Sequence, residues 1–164
     1  YNMKTISHRI SRLFRRTRAS RSWENGHVLK ILNIRTPSPI ALIEERFGFL
    51  RGKAYLITEY SSGYPAQRLI EKKEFGKEPL WIANLLQAFF DNQLVHGDLK
   101  AQNFLIENDG ACIVDLDSMF EARSTKAHQT YRKKEVARFS SNWENCPKLL
   151  SIFFSHLKSM DLLD

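Results

Sequence analysis

An α+β fold with two lobes is predicted from three features of the sequence. Segments with helical spacing of apolar residues occur together with short runs of strand composition. A polar linker, Ser61–Pro65, separates a first lobe, residues 1–60, from a second lobe, residues 61–164. The 164 residues are 43% hydrophobic and 26% charged, which is ordinary globular usage and excludes a disordered or fibrous chain.

Apolar runs and cysteines indicate the cellular compartment in which the protein is expected. No apolar run approaches the roughly 20 residues needed to cross a bilayer, and no apolar segment with a small-residue cleavage site marks a secretory signal. The two cysteines, Cys112 and Cys146, lack the spacing of a zinc site or of a disulfide framework. We therefore expect a cytoplasmic protein with both thiols reduced.

The first lobe begins with two predicted helices. From Ile6 to Phe14 apolar residues recur at helical spacing and arginines lie mostly on the other face, which predicts a basic amphipathic helix. A second helix is predicted from about Ala19 to Leu32. Residues 1–35 carry nine Lys and Arg side chains against one acid, Glu24. This excess favours an anionic partner such as phosphate, nucleic acid or an acidic membrane, and a solvated helix face is the alternative.

A hairpin is predicted to follow the second helix. Thr36–Pro39 is expected to be extended, because each proline disfavours helical geometry in the residue before it. Ile40–Glu45 and Ala54–Tyr60 have strand composition. The Gly-containing connection at 46–53 then predicts an antiparallel pair.

The second lobe is predicted to contain a buried helix and a tight hairpin. Pro79 suits the first turn of a helix that carries an apolar stripe to about Asn92. Phe104–Glu107 and Cys112–Leu116 flank Asn108–Gly110, the strongest hairpin-turn signal in the sequence. Two further helices are predicted at 130–139 and 146–158.

The residues with a predicted chemical role lie directly before this hairpin and at the end of its second strand. A loop that we call the catalytic loop runs His96-Gly97-Asp98-Leu99-Lys100-Ala101-Gln102-Asn103, and the second strand of the hairpin ends in the metal motif, Asp115-Leu116-Asp117. The loop resembles the H-R-D-L-x-x-x-N segment of protein kinases with Gly97 in place of arginine, and the metal motif fills the D-F-G position. A lone Asp-x-Asp is usually a turn or a solvated pair, so the joint occurrence and the spacing carry the prediction.

The kinase resemblance implies a role for each polar residue. Phosphoryl transfer needs a carboxylate to take the proton of the acceptor hydroxyl, and further oxygen ligands to hold Mg²⁺ against the nucleotide phosphates. Asp98 is then the catalytic base, and Lys100 offsets charge on the transferred phosphoryl group. Asn103 and Asp115 bind Mg²⁺, or Mn²⁺ in its place. Without the loop arginine, switching by phosphorylation of an activation loop is not expected.

Several further stretches resemble the lipopolysaccharide kinase (Kdo/WaaP) family. These are Ser20–His27, Ile34–Pro39, Ala41–Arg46 and Thr58–Tyr60. The H-G-D form of the loop is also similar to that of aminoglycoside and choline kinase relatives. The lipopolysaccharide kinase resemblance implies a two-lobed protein-kinase-like fold and ATP-dependent phosphorylation of a core sugar, Kdo or heptose, linked to lipid A. It also implies a place at the cytoplasmic face of the inner membrane, where the basic helix at 6–14 can contact anionic lipid.

The resemblance also implies residues of the nucleotide site. Glu24 is the helix glutamate that pairs with a nucleotide-binding lysine, and Glu59 and Tyr60 border the adenine. The alternative for Glu24 is a surface acid among arginines. The first lobe is expected to be truncated, because the chain begins at Tyr1 without a glycine-rich strand pair or a strand lysine, and Lys4 is a poor substitute.

Two other functions stay open. An atypical Ser/Thr protein kinase shares the H-G-D loop, although no Ala-Pro-Glu segment follows Asp115 and only 49 residues remain after it. A non-catalytic kinase-like protein that binds an anionic ligand is the other alternative. Aromatic residues are scarcely interleaved with the N-terminal arginines, which argues against nucleic acid as that ligand.

Overall fold

The fold was analysed in a computed structural model that describes residues 16–48, 50–72 and 74–163. In chain order the elements are α1 (Arg18–Ile31), β1 (Pro39–Phe47), β2 (Leu50–Thr58), β3 (Tyr64–Pro65), α2 (Glu78–Asp91), β4 (Leu94–Val95), β5 (Phe104–Glu107), β6 (Gly110–Ile113), β7 (Phe120–Glu121), α3 (Thr125–Ser141) and α4 (Pro147–Ser159). Short 3-10 helices cover Ala66–Glu71, Ala101–Asn103 and Leu116–Ser118. The predicted basic helix at 6–14, with Tyr1 and Lys4, lies outside the described residues.

Helix α1 confirms the second predicted helix with nearly the same ends. It begins after Thr17, whose side-chain oxygen accepts a hydrogen bond from the backbone N–H of Ser20 at 3.0 Å. Gly26 lies where α1 approaches β1, and a Cβ atom there would lie 2.6 Å from Cγ of Pro39. The glycine therefore allows the helix to rest on the start of the strand.

Strands β1 and β2 form the predicted antiparallel hairpin, but with longer strands. Pairing continues from Ile43 opposite Tyr55 to Phe47 opposite Leu50, so most of the predicted connection at 46–53 is strand. Gly48 has a φ of 59°, which permits the tight turn that this register needs. Ile43, Phe47 and Tyr55 are exposed on this two-stranded sheet.

The second lobe contains most of the hydrophobic core. Helix α2 buries Ile82, Leu86 and Phe89, which confirms the predicted buried helix. The rings of Phe139 and Phe153 lie 4.9 Å apart between α3 and α4. This core supports the hairpin of β5 and β6 and, through it, the loops on either side.

The predicted tight hairpin is present, with a shorter second strand. β5 pairs with β6 from Phe104 opposite Ile113 to Glu107 opposite Gly110. The strand ends at Ile113, and Asp115 then adopts a left-handed conformation with a φ of 62° that turns the chain. Part of the predicted linker also pairs with this sheet, since Tyr64 lies opposite Ile106.

Helix α3 begins five residues before the predicted helix at 130–139. Ser124 caps its first turn by accepting a hydrogen bond from the N–H of Ala127 at 3.2 Å. The polar residues of this first turn gave no apolar periodicity, which explains the late predicted start. Helix α4 confirms the last predicted helix.

Two further expectations concern membrane spans and thiols. Among the described residues no helix has both the length and the apolar character needed to cross a bilayer. Cys112 and Cys146 are free thiols, as expected. Burial raises the pKa of Cys112 to about 11, which keeps that side chain protonated at neutral pH.

Candidate active site

The catalytic loop is fixed at its start by a buried histidine. His96 is fully buried, and its Nε2 lies 3.0 Å from the carbonyl oxygen of Val114, directly before the metal motif. Its Nδ1 accepts a hydrogen bond from the N–H of Asp98 at 3.3 Å. Burial lowers the pKa of His96 below its ordinary value, so the neutral ring with its proton on Nε2 satisfies both contacts. His96 thereby ties the loop to the metal motif.

Gly97 permits a close approach that arginine would prevent. Its φ is 83°, and a Cβ atom there would lie 3.0 Å from both Cβ and the backbone oxygen of Ser118. A side chain at this position would therefore strain the backbone and collide with the segment after the metal motif. The replacement of the usual loop arginine by glycine thus has a steric reason in this chain.

Asp98, the predicted base, lies between two cations. Its Oδ2 is 2.8 Å from Nζ of Lys100, and its Oδ1 is 2.8 Å from a terminal nitrogen of Arg138 on α3. The side chain of Asp98 is 22% exposed, so a substrate hydroxyl can reach it.

Helix α3 holds the catalytic loop through residues that the sequence analysis missed. The carboxylate of Glu135 accepts hydrogen bonds from the N–H groups of His96 at 2.9 Å and of Gly97 at 3.1 Å. Asn142, the C-cap of α3, accepts from the N–H of Ala101 at 3.1 Å and donates to the carbonyl of Leu99 at 3.0 Å. Burial raises the pKa of Glu135 above its ordinary value.

One signal in the sequence could have found these residues. Glu135, Arg138 and Asn142 recur at steps of three and four, so they share one face of a helix. This spacing allows the three polar side chains to reach one partner segment, which in the structure is the catalytic loop. Helix α3 therefore acts as the support of the catalytic loop.

The predicted metal ligands are brought together by the backbone. Asn103 is buried, and its amide nitrogen donates to the carbonyl of Asp98 at 2.9 Å, which leaves the amide oxygen as the predicted ligand atom. The N–H of Val114 donates to the carbonyl of Asn103 at 2.9 Å, so Asn103 and Asp115 lie on adjacent segments. An amide oxygen and a carboxylate fit Mg²⁺, which takes one or two protein carboxylates and completes its shell with phosphates and water.

The donor set does not fit zinc or another metal that prefers nitrogen and sulfur ligands. Within the parts of the chain that the structure describes, no three His, Cys, Asp or Glu side chains are grouped as a metal site. A site of that kind would use imidazole or thiolate ligands. The oxygen ligands of Asn103 and Asp115 therefore suit a hard cation held together with a nucleotide.

Helix α1 contacts the metal motif at two places. Arg18 hydrogen-bonds through Nε to Asp117, and its NH2 lies 3.8 Å from Oδ1 of Asp115. Asn25 donates to the backbone oxygens of Leu116 at 2.7 Å and of Met119 at 3.0 Å. Burial alone would raise the pKa of Asp117, but its hydrogen bonds, led by that from Arg18, hold it below the ordinary value.

A cavity of about 240 Å³ opens between α1, β2 and the metal motif. Ser22 and Gly26 of α1, Leu56 and Thr58 of β2, and Asp115 contribute to its lining. The cavity therefore meets the predicted metal ligand at one end and the strand that leads to the predicted adenine-binding segment at the other.

The predicted nucleotide residues lie around this cavity rather than in it. Glu24 forms an exposed ion pair with Arg16, whereas Ser22 and Gly26 are the α1 residues that line the cavity. Glu59 and Tyr60 line a neighbouring cavity of about 190 Å³, and Tyr60 is 92% exposed. Their roles toward a nucleotide stay predictions.

Solved structures with a similar fold are kinases. WaaP, in a complex with acyl carrier protein, gives a TM-score of 0.59 at 14% identity, over 87% of this chain and 73% of that chain. The Rio2 kinase from Chaetomium thermophilum gives 0.59 at 16% identity, over 83% of this chain and 40% of that chain. A second Rio2 structure, a complex with ADP, Mg²⁺ and phosphoaspartate, gives 0.52 at 14% identity, over 93% and 55%. The protein thus has a protein-kinase-like fold.

The family follows from the sequence itself. The model of the lipopolysaccharide kinase (Kdo/WaaP) family matches residues 1–147, which is most of the chain. The protein therefore belongs to the lipopolysaccharide kinase (Kdo/WaaP) family, and the predicted family and fold class are confirmed. A search of curated protein sequences gives no match. Family and fold together define a phosphotransferase of the kinase type.

Proposed function

We propose that the protein transfers the γ-phosphoryl group of ATP to a hydroxyl group of a lipopolysaccharide core sugar, Kdo or heptose. The observation that carries this proposal is the setting of Asp98. Its carboxylate lies between Lys100 and Arg138, on a loop that leads directly to Asn103 and contacts the segment before Asp115. Membership of the lipopolysaccharide kinase family supports a sugar as the acceptor.

In the proposed reaction, Asp98 takes the proton of the acceptor hydroxyl. Each carboxylate oxygen lies 2.8 Å from one cation, and Oδ1 is buried without a hydrogen-bond partner among the described residues, so Oδ2 is the oxygen that would meet the hydroxyl. The hydroxyl oxygen then attacks the γ-phosphorus, the bond from phosphorus to the ADP oxygen breaks, and the proton passes to Asp98. Lys100 is near enough to pair with the transferred phosphoryl group.

The nucleotide side uses the remaining predicted residues. Asn103 and Asp115 would hold Mg²⁺, which neutralises phosphate charge when it is bound. Glu59 and Tyr60 would border the adenine, and Glu24 would orient a lysine toward the phosphates. The cavity beside Asp115 supports a nucleotide between α1 and β2.

We also propose that the enzyme works at the cytoplasmic face of the inner membrane, where its lipid-linked acceptor lies. The support is the N-terminal excess of basic side chains, much of it outside the described residues. Each cation near an acidic surface contributes about 1 kcal/mol, and salt weakens the contact. Co-sedimentation with anionic vesicles should fall with added salt, and salt-independent binding would contradict this placement.

The acceptor class can be tested in one assay. The protein is incubated with Mg-ATP and either deacylated lipopolysaccharide core oligosaccharide or a mixture of Ser/Thr-rich peptides, and products are examined by mass spectrometry and phosphorus NMR. We expect a phosphate monoester on the oligosaccharide. Phosphate on the peptides alone would replace the proposal by the atypical protein kinase function, and the Rio2-like fold supports including that arm.

A further inference from the structure

Two aromatic rings are exposed together beside the catalytic loop. Phe120 of β7 and Tyr131 of α3 meet edge to face, with ring centroids 5.1 Å apart. They are 40% and 39% exposed, whereas Phe89, Phe104, Phe139 and Phe153 of this lobe are buried in its core. An exposed apolar group next to a catalytic centre is typical of a ligand-binding surface.

This aromatic pair has a fixed relation to the predicted base. Phe120 lies opposite Val95 in the short sheet of β4 and β7, directly before His96. Tyr131 lies on the same face of α3 as Glu135 and Arg138, at steps of four and three. The helical rise separates Tyr131 from Arg138 by about 10 Å along the axis. A ligand of two linked sugar rings spans this distance, from the aromatic pair to the base.

The surface between these points is cationic. Nζ of Lys134 lies 6.0 Å from the centroid of the Tyr131 ring. Arg138 is half exposed beside Asp98. Glu135, the one acid of α3, is buried and turned toward the catalytic loop. A surface with exposed cations and no exposed acid on this helix favours an anionic ligand.

We propose that Phe120, Tyr131, Lys134 and Arg138 form a subsite for the sugar that neighbours the acceptor hydroxyl, and that this sugar carries a carboxylate or phosphate group. The aromatic rings pack against the apolar C–H face of the sugar ring, and Lys134 and Arg138 pair with its anionic group. The inference rests on the proposed function, since it names the acceptor surface of the same site. It adds binding residues that the kinase motifs do not contain.

The test measures binding of deacylated lipopolysaccharide core oligosaccharide by calorimetry without ATP, and KM values in the transfer assay. Tyr131→Ala and Lys134→Gln should each weaken oligosaccharide binding on the order of tenfold, with KM for ATP unchanged. Tyr131→Phe keeps the ring and should keep the affinity. Lys158→Gln is the matched control, because Lys158 has the same charge and is exposed on a different helix, α4.

A second probe distinguishes whether the recognised anionic group is a phosphate or a carboxylate. Oligosaccharide treated with hydrofluoric acid loses its phosphate groups and keeps its carboxylates. If a phosphate is recognised, the treated probe should bind weakly to the parent protein and show no further loss with Lys134→Gln. If a carboxylate is recognised, the treated probe should behave like the untreated one. Either result supports the subsite.

The outcomes separate this inference from the proposed function. Phosphorylation of the oligosaccharide with parental KM in both Tyr131→Ala and Lys134→Gln would overturn the subsite and leave the function intact. Tight binding that depends on both residues, without phosphorylation, would support the subsite and contradict the function. A parent protein that neither binds nor phosphorylates the oligosaccharide would overturn both.

Discussion

The catalytic loop and helix α1 both contact the metal motif, but different kinds of contact hold them. The loop is held from α3 by buried polar groups, above all Glu135 on the backbone of His96 and Gly97. Helix α1 contacts the metal motif through Arg18, which is largely exposed, and through Asn25, which donates to backbone oxygens, whereas its Glu24 pairs with Arg16 at the surface. Hydrogen bonds to charged groups contribute about 1.5–3 kcal/mol, whereas exposed ion pairs contribute about 0–1 kcal/mol.

This difference indicates where the site is rigid. The loop that carries Asp98, the proposed base, is fixed within the second lobe by the hydrogen bonds of Glu135 and Asn142. On α1, the predicted nucleotide residue Glu24 is held at the surface by an exposed ion pair. Substitutions around the catalytic loop should therefore change stability, whereas a substitution at Glu24 should mainly change nucleotide binding.

The largest effect is expected from removal of the proposed metal ligand Asp115. This residue lies in the metal motif, which both the catalytic loop and α1 contact. Asp115→Ala takes away the carboxylate of the proposed Mg²⁺ site, so we expect loss of metal-dependent ATP binding and of phosphoryl transfer. Calorimetry with Mg-ATP, with and without chelator, measures this directly. Unchanged Mg-ATP affinity in the variant would remove Asp115 from the metal site.

Weakening the loop support should affect both stability and rate. In Glu135→Gln the amide can accept through one oxygen only, so one of the two N–H groups that it now binds loses its partner. The N–H of His96 is buried, and leaving it unsatisfied costs about 1–3 kcal/mol, so the free energy of unfolding should fall by up to that amount. Denaturant unfolding measures it, with the exposed Glu144→Gln as control. Equal stability of both variants would contradict the supporting role of α3.

The buried histidine predicts a pH dependence of stability. Because burial lowers the pKa of His96, the unfolded chain binds a proton that the folded chain excludes. The free energy of unfolding should therefore fall as pH drops below about 6.5, and this contribution is fully present above that pH. Unfolding curves at several pH values test it. His96→Gln should reduce the slope, while His128→Gln isolates the second histidine with a lowered pKa; a parental slope in His96→Gln would be evidence against a neutral buried ring.

The smallest effect on stability is expected on α1. Glu24→Gln removes an exposed ion pair, so the free energy of unfolding should change by less than about 1 kcal/mol. If Glu24 belongs to the nucleotide site, the substitution Glu24→Gln should nevertheless raise KM for ATP. KM for ATP is compared with that of Ser22→Ala, which changes a cavity-lining position on the same helix. An unchanged KM in Glu24→Gln would make Glu24 a surface acid among arginines.

The sequence predicted the site residues that lie in short motifs and missed the residues that reach the site through packing of α3. Asp98, Asn103 and Asp115 lie in short motifs whose spacing is set by a loop and a hairpin, so their proximity follows from local structure. Glu135 and Asn142 reach the same loop from α3, and no local pattern states which loop a helix will contact.

Element ends show the same limit. The turn at Gly48 was missed because a glycine with positive φ is not distinguished in sequence from a glycine in a longer connection. Glu24 is the clearest open case: its helix was predicted correctly, but helix register decides which side chain faces the cavity. Register depends on contacts such as that of Gly26 with Pro39, which sequence periodicity does not contain.

The most direct test of the account is acceptor-dependent ADP formation in Asp98→Asn. The substitution keeps the size of the side chain and removes the proton acceptor, so transfer should fall on the order of 10² to 10⁴-fold. Mg-ATP affinity should stay near the parental value, because Asn103 and Asp115 are untouched. Transfer within a few-fold of the parent would contradict the central claim that Asp98, held by Lys100 and Arg138, is the base of this kinase.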